Sequence, residues 1–362
     1  MNNSNTEQKF TRVLREDIRN ISFHRDVKHE FKELKEFYLN ESEKKQLNEM
    51  THIKKWFFQI LWMVRNLFLH LTPIRRLLTI AGLVFILLDR SIISGSDSTN
   101  NYGFIGGILV FIVLMLELKD KLLAKDELEA GRKVQRALTP ERSPKVEGWS
   151  IWLFTRPANE VGGDLIDYLK LNGERVGIIL ADIAGKGLQA ALLMAKLQAT
   201  IRALAADFNS ISGLCTKINT IFYRDSLPNI FASMVYLEIK PNDPQIRFVN
   251  AGHFPPIILT DKEVRETQKS NVAIGLVRDV IYNEDILTME KDEMLIAYTD
   301  GITEARNEYG QFFEKERLLK ILPRLSQYKI EDIGEAIINE IDRFVGDAPV
   351  NDDLSLLIIK KD

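Results

Sequence analysis

Val161–Met194 reads VGGDLIDYLKLNGERVGIILADIAGKGLQAALLM, and this stretch decides how the C-terminal part of the 362-residue chain folds. Asn172-Gly173 stands between two runs, Leu165–Leu171 and Arg175–Ala181, and Asn-Gly in that setting is the strongest short-range hairpin signal. A hairpin folded there brings Asp164 and Asp182 to one end. Register then decides whether the two acids meet. A two-residue loop pairs 171 with 174, sets Asp164 opposite Ala181 and turns the acids to opposite faces, because side chains alternate along a strand. A three-residue loop, Asn172–Glu174, pairs 164 with 182 and puts both on one face. The sequence therefore predicts a three-residue loop or a bulge near the acids. Gly185-Lys186-Gly187 then opens a strongly helical run. Two carboxylates at a strand end beside a Gly-rich turn suit a divalent cation, since hard cations take carboxylate oxygen. Ordinary strand-end acids would read the same way, so residues elsewhere must decide.

Bulk composition narrows the chemistry. A net charge of −3 with 27% charged residues gives no global case for nucleic-acid binding. The one cysteine, Cys215, excludes an internal disulfide and a cysteine-rich zinc site, and fits a reducing compartment. Of five histidines only His253 lies beyond residue 70, so metal chemistry in the C-terminal part must use carboxylates. Two further acidic corners supply them. In Tyr298-Thr299-Asp300-Gly301 an apolar run delivers an aspartate into a Gly turn, and Asn351-Asp352-Asp353-Leu354 precedes the last apolar run. Each alone is common turn or strand punctuation. Together with Asp164 and Asp182 they would repel if they converged without cations. An all-oxygen donor set fits Mg²⁺ or Mn²⁺ rather than zinc.

The N-terminal part has a different character. Residues 1–52 are charge-dense and read as a solvated helical segment. Within Ile53–Leu71, Trp56, Phe57, Ile60, Val64, Leu67, Phe68 and Leu71 recur at helical spacing with bases opposite, as expected of a helix in a membrane interface. Leu77–Leu88 and Tyr102–Leu116 carry no charge, and a polar loop with Asp89, Arg90, Ser94–Ser98 and Asn100-Asn101 separates them. Both runs are shorter than the ~20 residues of a standard span. Residues 1–76 hold fifteen Lys or Arg and the loop holds one, so a membrane hairpin would keep both termini cytoplasmic. The polar, charged N-terminus does not read as a cleavable signal peptide. Glu117–Leu138 is a charged linker helix whose stripe of Leu118, Leu122, Leu128, Val134 and Leu138 suits pairing of two copies as well as docking; Pro140 ends it. The expected division is a charged segment (1–52), an interfacial helix plus two-helix membrane hairpin (53–118), a linker helix (119–140) and a mixed domain (141–362).

In that domain strands are expected at Trp149–Thr155, in the 164–182 hairpin, and at Phe231–Ile239, Gln245–Asn250, Ile257–Thr260, Glu293–Tyr298 and Leu354–Lys360. Helices fit Leu188–Asp207, Ser210–Arg224, Glu314–Leu325 and Ile330–Val345. Hairpin-joined strands with helices grouped in pairs argue for an α+β fold of two packed antiparallel sheets with helices outside, rather than a doubly wound parallel sheet.

The ordered motifs VGGD, ADIAGKG, NAGHFPP, YTDGITEA and NDDLSLLII resemble the metal-dependent serine/threonine protein phosphatases (PPM, or protein phosphatase 2C), more specifically the bacterial branch named for stage II sporulation protein E. LEAGRKVQRALTP resembles the segment that precedes the catalytic domain in that branch, and the similarity runs from about Glu127 to Lys361. It implies a β-sandwich flanked by helix pairs (αββα) with two Mn²⁺ or Mg²⁺ ions at one end. Asp164 and Asp182 would bind the metals, Asp182 bridging them with the Ile183 carbonyl contributing, and Asp300 and Asp352 would complete the site, the role of Asp353 being open. Gln189 stands where the family often has proline, and Glu314 where it often has glycine.

A cation pair ~3.5–4 Å apart can hold and activate a bridging water, so no side-chain nucleophile is required. Arg156 is a candidate phosphate contact, and a surface arginine reads equally well. His253 could protonate a leaving alkoxide, although such a histidine more often shapes its loop. The resemblance implies a phosphatase of phosphoserine or phosphothreonine on a protein, with an anti-sigma-factor antagonist as substrate; the uncharged runs and the Lys/Arg asymmetry, outside the resemblance, put it in the cell inner membrane with its catalytic domain cytoplasmic. The competing classes are a catalytically silent scaffold of the same fold and a metal-dependent phosphodiesterase acting on a nucleotide.

Overall fold

The computed structural model describes residues 34–35, 38–92, 102–172, 174–260, 263–268 and 271–362. Most of the charged segment 1–52, the Ser94–Ser98 and Asn100-Asn101 loop and the turn residue Gly173 lie outside the described residues. The chain divides into two compact units, Met1–Leu122 and Leu123–Asp362.

The first unit is helical: α1 (Glu41–Asn48), α2 (His52–His70), α3 (Pro73–Ile92) and the start of α4 (Tyr102–Leu138). A capping box opens α1, with the Asn40 amide donating to Glu43 Oε2 at 3.0 Å. Trp56, Phe57, Val64 and Leu67 of α2 are exposed. α3 and α4 meet backbone to backbone, since a Cβ on Gly106 would stand 2.5 Å from the Gly82 carbonyl oxygen. Arg75 donates to Glu117 Oε1 at 2.7 Å and to Asp120 Oδ2 at 2.6 Å. Outward from this contact Leu77, Leu83, Leu87, Phe104 and Phe111 are exposed. The apolar run from Tyr102 and the charged run to Leu138 form one continuous helix. Among the described residues α4 is the one helix long and apolar enough to cross a membrane.

The second unit is a four-layer α+β sandwich. Its strands are β1 (Trp149–Arg156), β2 (Leu165–Leu171), β3 (Arg175–Ile183), β4 (Ala232–Ile239), β5 (Gln245–Ala251), β6 (Ile257–Leu259), β7 (Val264–Glu266), β8 (Asp285–Thr288), β9 (Met294–Tyr298) and β10 (Leu354–Lys361). They form two sheets, β1-β10-β9-β6-β7 and β2-β3-β4-β5-β8, antiparallel throughout. α5 (Gly187–Leu204) and α6 (Ile211–Asp225) cover one sheet; α8 (Lys315–Leu325) and α9 (Ile330–Val345) cover the other, and α7 (Asp300–Thr303) is a single turn after β9. The two extra strands and α7 escape the sequence reading because three or four residues are too few to show a period.

Alternation along the strands sorts three cores. Ile151, Leu153, Ile178, Leu180, Leu295 and Leu357 fill the space between the sheets. Ile179, Ala181 and Ile183 face α5 and α6, whereas Trp152, Phe154, Ile296 and Ile358 face α8 and α9. Both faces of each sheet are buried, which is why these strands read as continuous apolar runs.

The hairpin has the three-residue register. Leu171 pairs with Arg175 and Leu165 with Ala181, so one step further Asp164 lies opposite Asp182. Asp182 shares the parity of Ile178 and Leu180, and Asp164 that of Ile166, so both acids belong to the inter-sheet face at one end of the sandwich.

Glu314, the residue at a frequent glycine position, has φ 64° and ψ 152°. That region is nearly glycine-only and costs an L-residue of order 1–3 kcal/mol. Replacing Glu314 with glycine is therefore expected to stabilise the domain by about 1 kcal/mol after glycine's entropy is set against it. This would raise the unfolding midpoint by about 2–4 °C in a domain of this size; a lower midpoint would contradict it.

Candidate metal centre

Four strand ends build the acidic corner, two from each sheet. Asp164 precedes β2, Asp182 is the penultimate residue of β3, Asp300 follows β9 and Asp352 lies just before β10. Asp182, Asp300 and Asp352 line one cavity of about 400 Å³ together with Ile183, Lys186 and His253. Burial first, then repulsion from Asp300, Asp352 and Asp353, pushes the Asp182 carboxyl up to about 7, and Lys186 opposes the shift. Burial and then the neighbouring Asp352 likewise raise Asp300. The Lys186 ammonium donates to Asp352 Oδ2 at 2.6 Å.

Asp164 sits behind this cavity. It is 7% exposed, accepts a hydrogen bond from Thr299 Oγ1 at 2.8 Å, and lines a different cavity. Burial, followed by the charge of Asp182, holds its carboxyl well above the usual range, while Ser355 and Thr299 pull the other way. Among the described residues no three acidic, histidine or cysteine side chains close on a single point as a metal would require. In donor chemistry the residues fit hard divalent cations: four carboxylates from separate elements, one buried and three half-buried, with one ammonium as counter-charge. Closing on an ion requires the carboxylates to turn towards it and Asp352 to exchange Lys186 for it.

Asp353 has a role that sequence reading leaves open. Its carboxylate accepts from the amides of Ala158 at 2.7 Å, Gly163 at 2.5 Å and Asp164 at 3.4 Å, so it latches the VGGD loop to the start of β10. The latch explains the first of the paired glycines, since a Cβ on Gly162 would stand 2.6 Å from Asp353 Oδ2, whereas one on Gly163 would stand 3.1 Å from the Ala190 Cβ. Thr299 ties the same corner together by accepting the Ser355 amide at 3.0 Å, and Ser355 Oγ donates to Thr155 Oγ1 at 2.9 Å. Sequence reasoning passed over Thr155, Thr299 and Ser355. Their signal is a hydroxyl at an inward position of an otherwise apolar strand.

Arg156 does not reach the cavity lined by Asp182, Asp300 and Asp352. It has the outward parity of Trp152 and Phe154, and its guanidinium pairs with Asp342 on α9 at 2.5 and 3.1 Å. His253 does reach the cavity, but both ring nitrogens are engaged: Nδ1 lies 2.8 Å from Ser233 Oγ and Nε2 3.0 Å from the Tyr298 carbonyl. Burial lowers its pKa to about 4. The imidazole is neutral and shapes the loop, and no ring nitrogen is left over to carry a proton to a leaving group.

The lowered value fixes a sign. The native state keeps His253 neutral down to pH about 4, while the unfolded chain protonates it below about 6.5. Its contribution to stability is therefore complete above 6.5 and is lost as pH falls towards 4. In chelator, the stability advantage of wild type over His253→Gln should shrink by roughly 2 kcal/mol from pH 7 to pH 5. Unfolding midpoints of the two proteins at both pH values measure this, and a gap independent of pH would refute it.

Two five-stranded antiparallel sheets between two helix pairs, with carboxylates gathered at one end, define the PPM-type phosphatase fold. The SiaA-PP2C domain of Pseudomonas aeruginosa has the same fold at 20% identity, with a TM-score of 0.59 over 67% of this chain and 99% of that one. Residues 172–362 match the family described as Stage II sporulation protein E (SpoIIE), and this chain belongs to that family. Phosphoserine phosphatase RsbU of Bacillus subtilis is 25% identical over 241 residues, 66% of this chain and 70% of RsbU. Phosphoserine phosphatase RsbP of the same organism is 30% identical over 189 residues, 50% of this chain. The chain spans about half the length of RsbP, 46%, and of Protein IcfG of Synechocystis, 48%.

Proposed function

We propose that this chain is a membrane-anchored phosphatase that uses two Mn²⁺ or Mg²⁺ ions to hydrolyse phosphoserine or phosphothreonine on a protein. A small anti-sigma-factor antagonist is the proposed substrate class. The observation that carries the reading is the convergence of the half-buried Asp182, Asp300 and Asp352 on one cavity, where burial and mutual repulsion raise the carboxyls of Asp182 and Asp300. Two relatives bear the name phosphoserine phosphatase, which favours a phosphoprotein substrate over a nucleotide diester.

Asp182, the Ile183 carbonyl, Asp300 and Asp352 would hold the ions, with Asp164 joining from behind Thr299. When bound, the pair would lower the pKa of a water and neutralise charge on the phosphoryl group. Asp353 and Thr299 fix the loops on which these ligands sit, and Lys186 is placed to exchange its partner Asp352 for a phosphoryl oxygen. The exposed apolar faces of α3 and α4 and the close approach at Gly82 and Gly106 support a hairpin within a bilayer, where small residues let helices touch. The proposed anchor lies in the inner membrane with the sandwich in the cytoplasm, a reading that the fifteen Lys or Arg of residues 1–76 support. The exposed stripe of Leu118, Leu122 and Val134 supports pairing of two copies along α4.

The test is phosphate release from a mixed phosphopeptide library by the full chain in phosphatidylcholine nanodiscs. Release with Mn²⁺ and none with chelator is expected. No release under either condition, from a protein that unfolds cooperatively, would leave the scaffold reading in its place.

A further inference from the structure

We propose a second anion site, behind the metal corner and sharing only Asp164 with it, in the cavity beside the last turns of α4; it takes a compact ligand carrying two or more phosphate groups. The cavity measures about 530 Å³, and Arg132, Arg136, Arg142 and Arg156 stand on its wall. The one acid on that wall, Asp164, is 7% exposed and occupied by the Thr299 hydroxyl. With Arg132 paired to Glu160 and Arg156 to Asp342, the positive charge of the wall rests on Arg136 and Arg142. The wall shares no residue with the cavity lined by Asp182, Asp300 and Asp352.

Existing partners do not use up these cations. Arg132 meets Glu160 at 3.3 Å and Arg156 meets Asp342, yet the Nε of each is shielded from solvent with no hydrogen-bond partner. Arg136 and Arg142 make no ion pair among the described residues, and Arg142 lies 5.3 Å over the Phe154 ring, which holds its guanidinium in position. Arg132 and Arg136 are four residues apart on α4 and so share one face of the helix. Guanidinium forks match phosphate oxygens two at a time, and several such forks around one cavity suit more than one phosphate group. A bound anion would bridge α4 to Arg142 and β1, immediately before the loop that Asp353 latches. Free phosphoanions and anionic lipid headgroups share this chemistry, and the experiment separates them.

The full chain in neutral phosphatidylcholine nanodiscs, with chelator present, is titrated calorimetrically with methylenediphosphonate, which cannot be hydrolysed. Saturable binding is expected, weakened at least ~10-fold by R136Q/R142Q, since each substitution removes charge-assisted hydrogen bonds to the anion. Both arginines are exposed, and an unchanged unfolding midpoint verifies that the variant folds. Asp182→Asn, which alters the other cavity, should bind as wild type does. In a second arm phosphatidic acid is built into the nanodisc with no free anion. A raised midpoint there, lost in R136Q/R142Q, would assign the site to a lipid headgroup. Absence of saturable binding in both arms, binding that R136Q/R142Q retains, or binding abolished by Asp182→Asn would overturn the proposal. Binding is read directly, so the result stands apart from whether the chain is a phosphatase.

Discussion

Asp182→Asn is expected to move activity and stability in opposite directions. Metal-dependent phosphate release should fall by at least ~10²-fold, because the carboxylate proposed to bridge two cations loses its charge and with it several kcal/mol of transition-state stabilisation. In chelator the same substitution should stabilise the fold. The carboxyl of Asp182 is pushed up to about 7 by burial and by Asp300, Asp352 and Asp353. The native state thus binds this proton more tightly than the unfolded chain, and wild type loses stability as pH rises from about 4 to 7. Asparagine carries no such penalty. Its advantage should grow by roughly 2 kcal/mol between pH 5 and pH 8, read from unfolding midpoints in chelator. A variant that loses activity and also loses stability at pH 8 would show that Asp182 serves packing rather than a cation.

Gly301→Ala should be the most damaging single methyl group in the domain. A Cβ there would stand 1.9 Å from the Asp353 carbonyl oxygen and 2.8 Å from its carbonyl carbon. Both are backbone atoms in the run that starts β10, so no flexible side chain can yield. Overpacking of this kind costs roughly 1–3 kcal/mol or more, and relief would require Asp300 and Asp353 to move apart. The expected outcome is a midpoint lowered by about 5–10 °C together with loss of metal-dependent turnover. Gly131→Ala in α4 is the control: its nearest neighbour would be Val161 at 3.6 Å, so it should leave the midpoint unchanged or raise it slightly. Equal midpoints for the two alanine variants would contradict the crowding argument.

What could be read from residues alone follows from which patterns are local. The 164–182 hairpin was legible from Asn172-Gly173, but its register was not: two registers were open, and only the demand that both acids face one cation selected the three-residue turn. The two sheets were legible as well, because hairpin-joined apolar runs alternate with amphipathic helix pairs. Which side of a strand faces which layer was not. With both faces buried, β1 carries Ile151 and Leu153 inward and Trp152 and Phe154 outward with equal hydrophobicity. Nothing in the sequence therefore showed that Arg156 points to Asp342. The same ambiguity hid the inward hydroxyls of Thr155, Thr299 and Ser355, and the setting of Asp164 behind Thr299. Asp353 could be seen as an acid beside the site, but its three amide partners lie roughly 190 residues away in sequence, and no local pattern announces a contact of that span. Glu314 is the reverse case, where a departure from a family habit marked a backbone angle that glycine would hold more easily.

The position of β10 has a consequence for synthesis. This strand lies between β1 and β9, and Asp353 at its start fastens the loop before Asp164. On the ribosome, the sheet that carries the approach to Asp300 lacks its middle member until residues beyond 350 have emerged. The apolar faces of α9 and of the earlier strands therefore wait, exposed, for the last portion of the domain. A nascent chain cannot assemble the acidic corner early, so the four carboxylates stay apart until translation of the domain is complete.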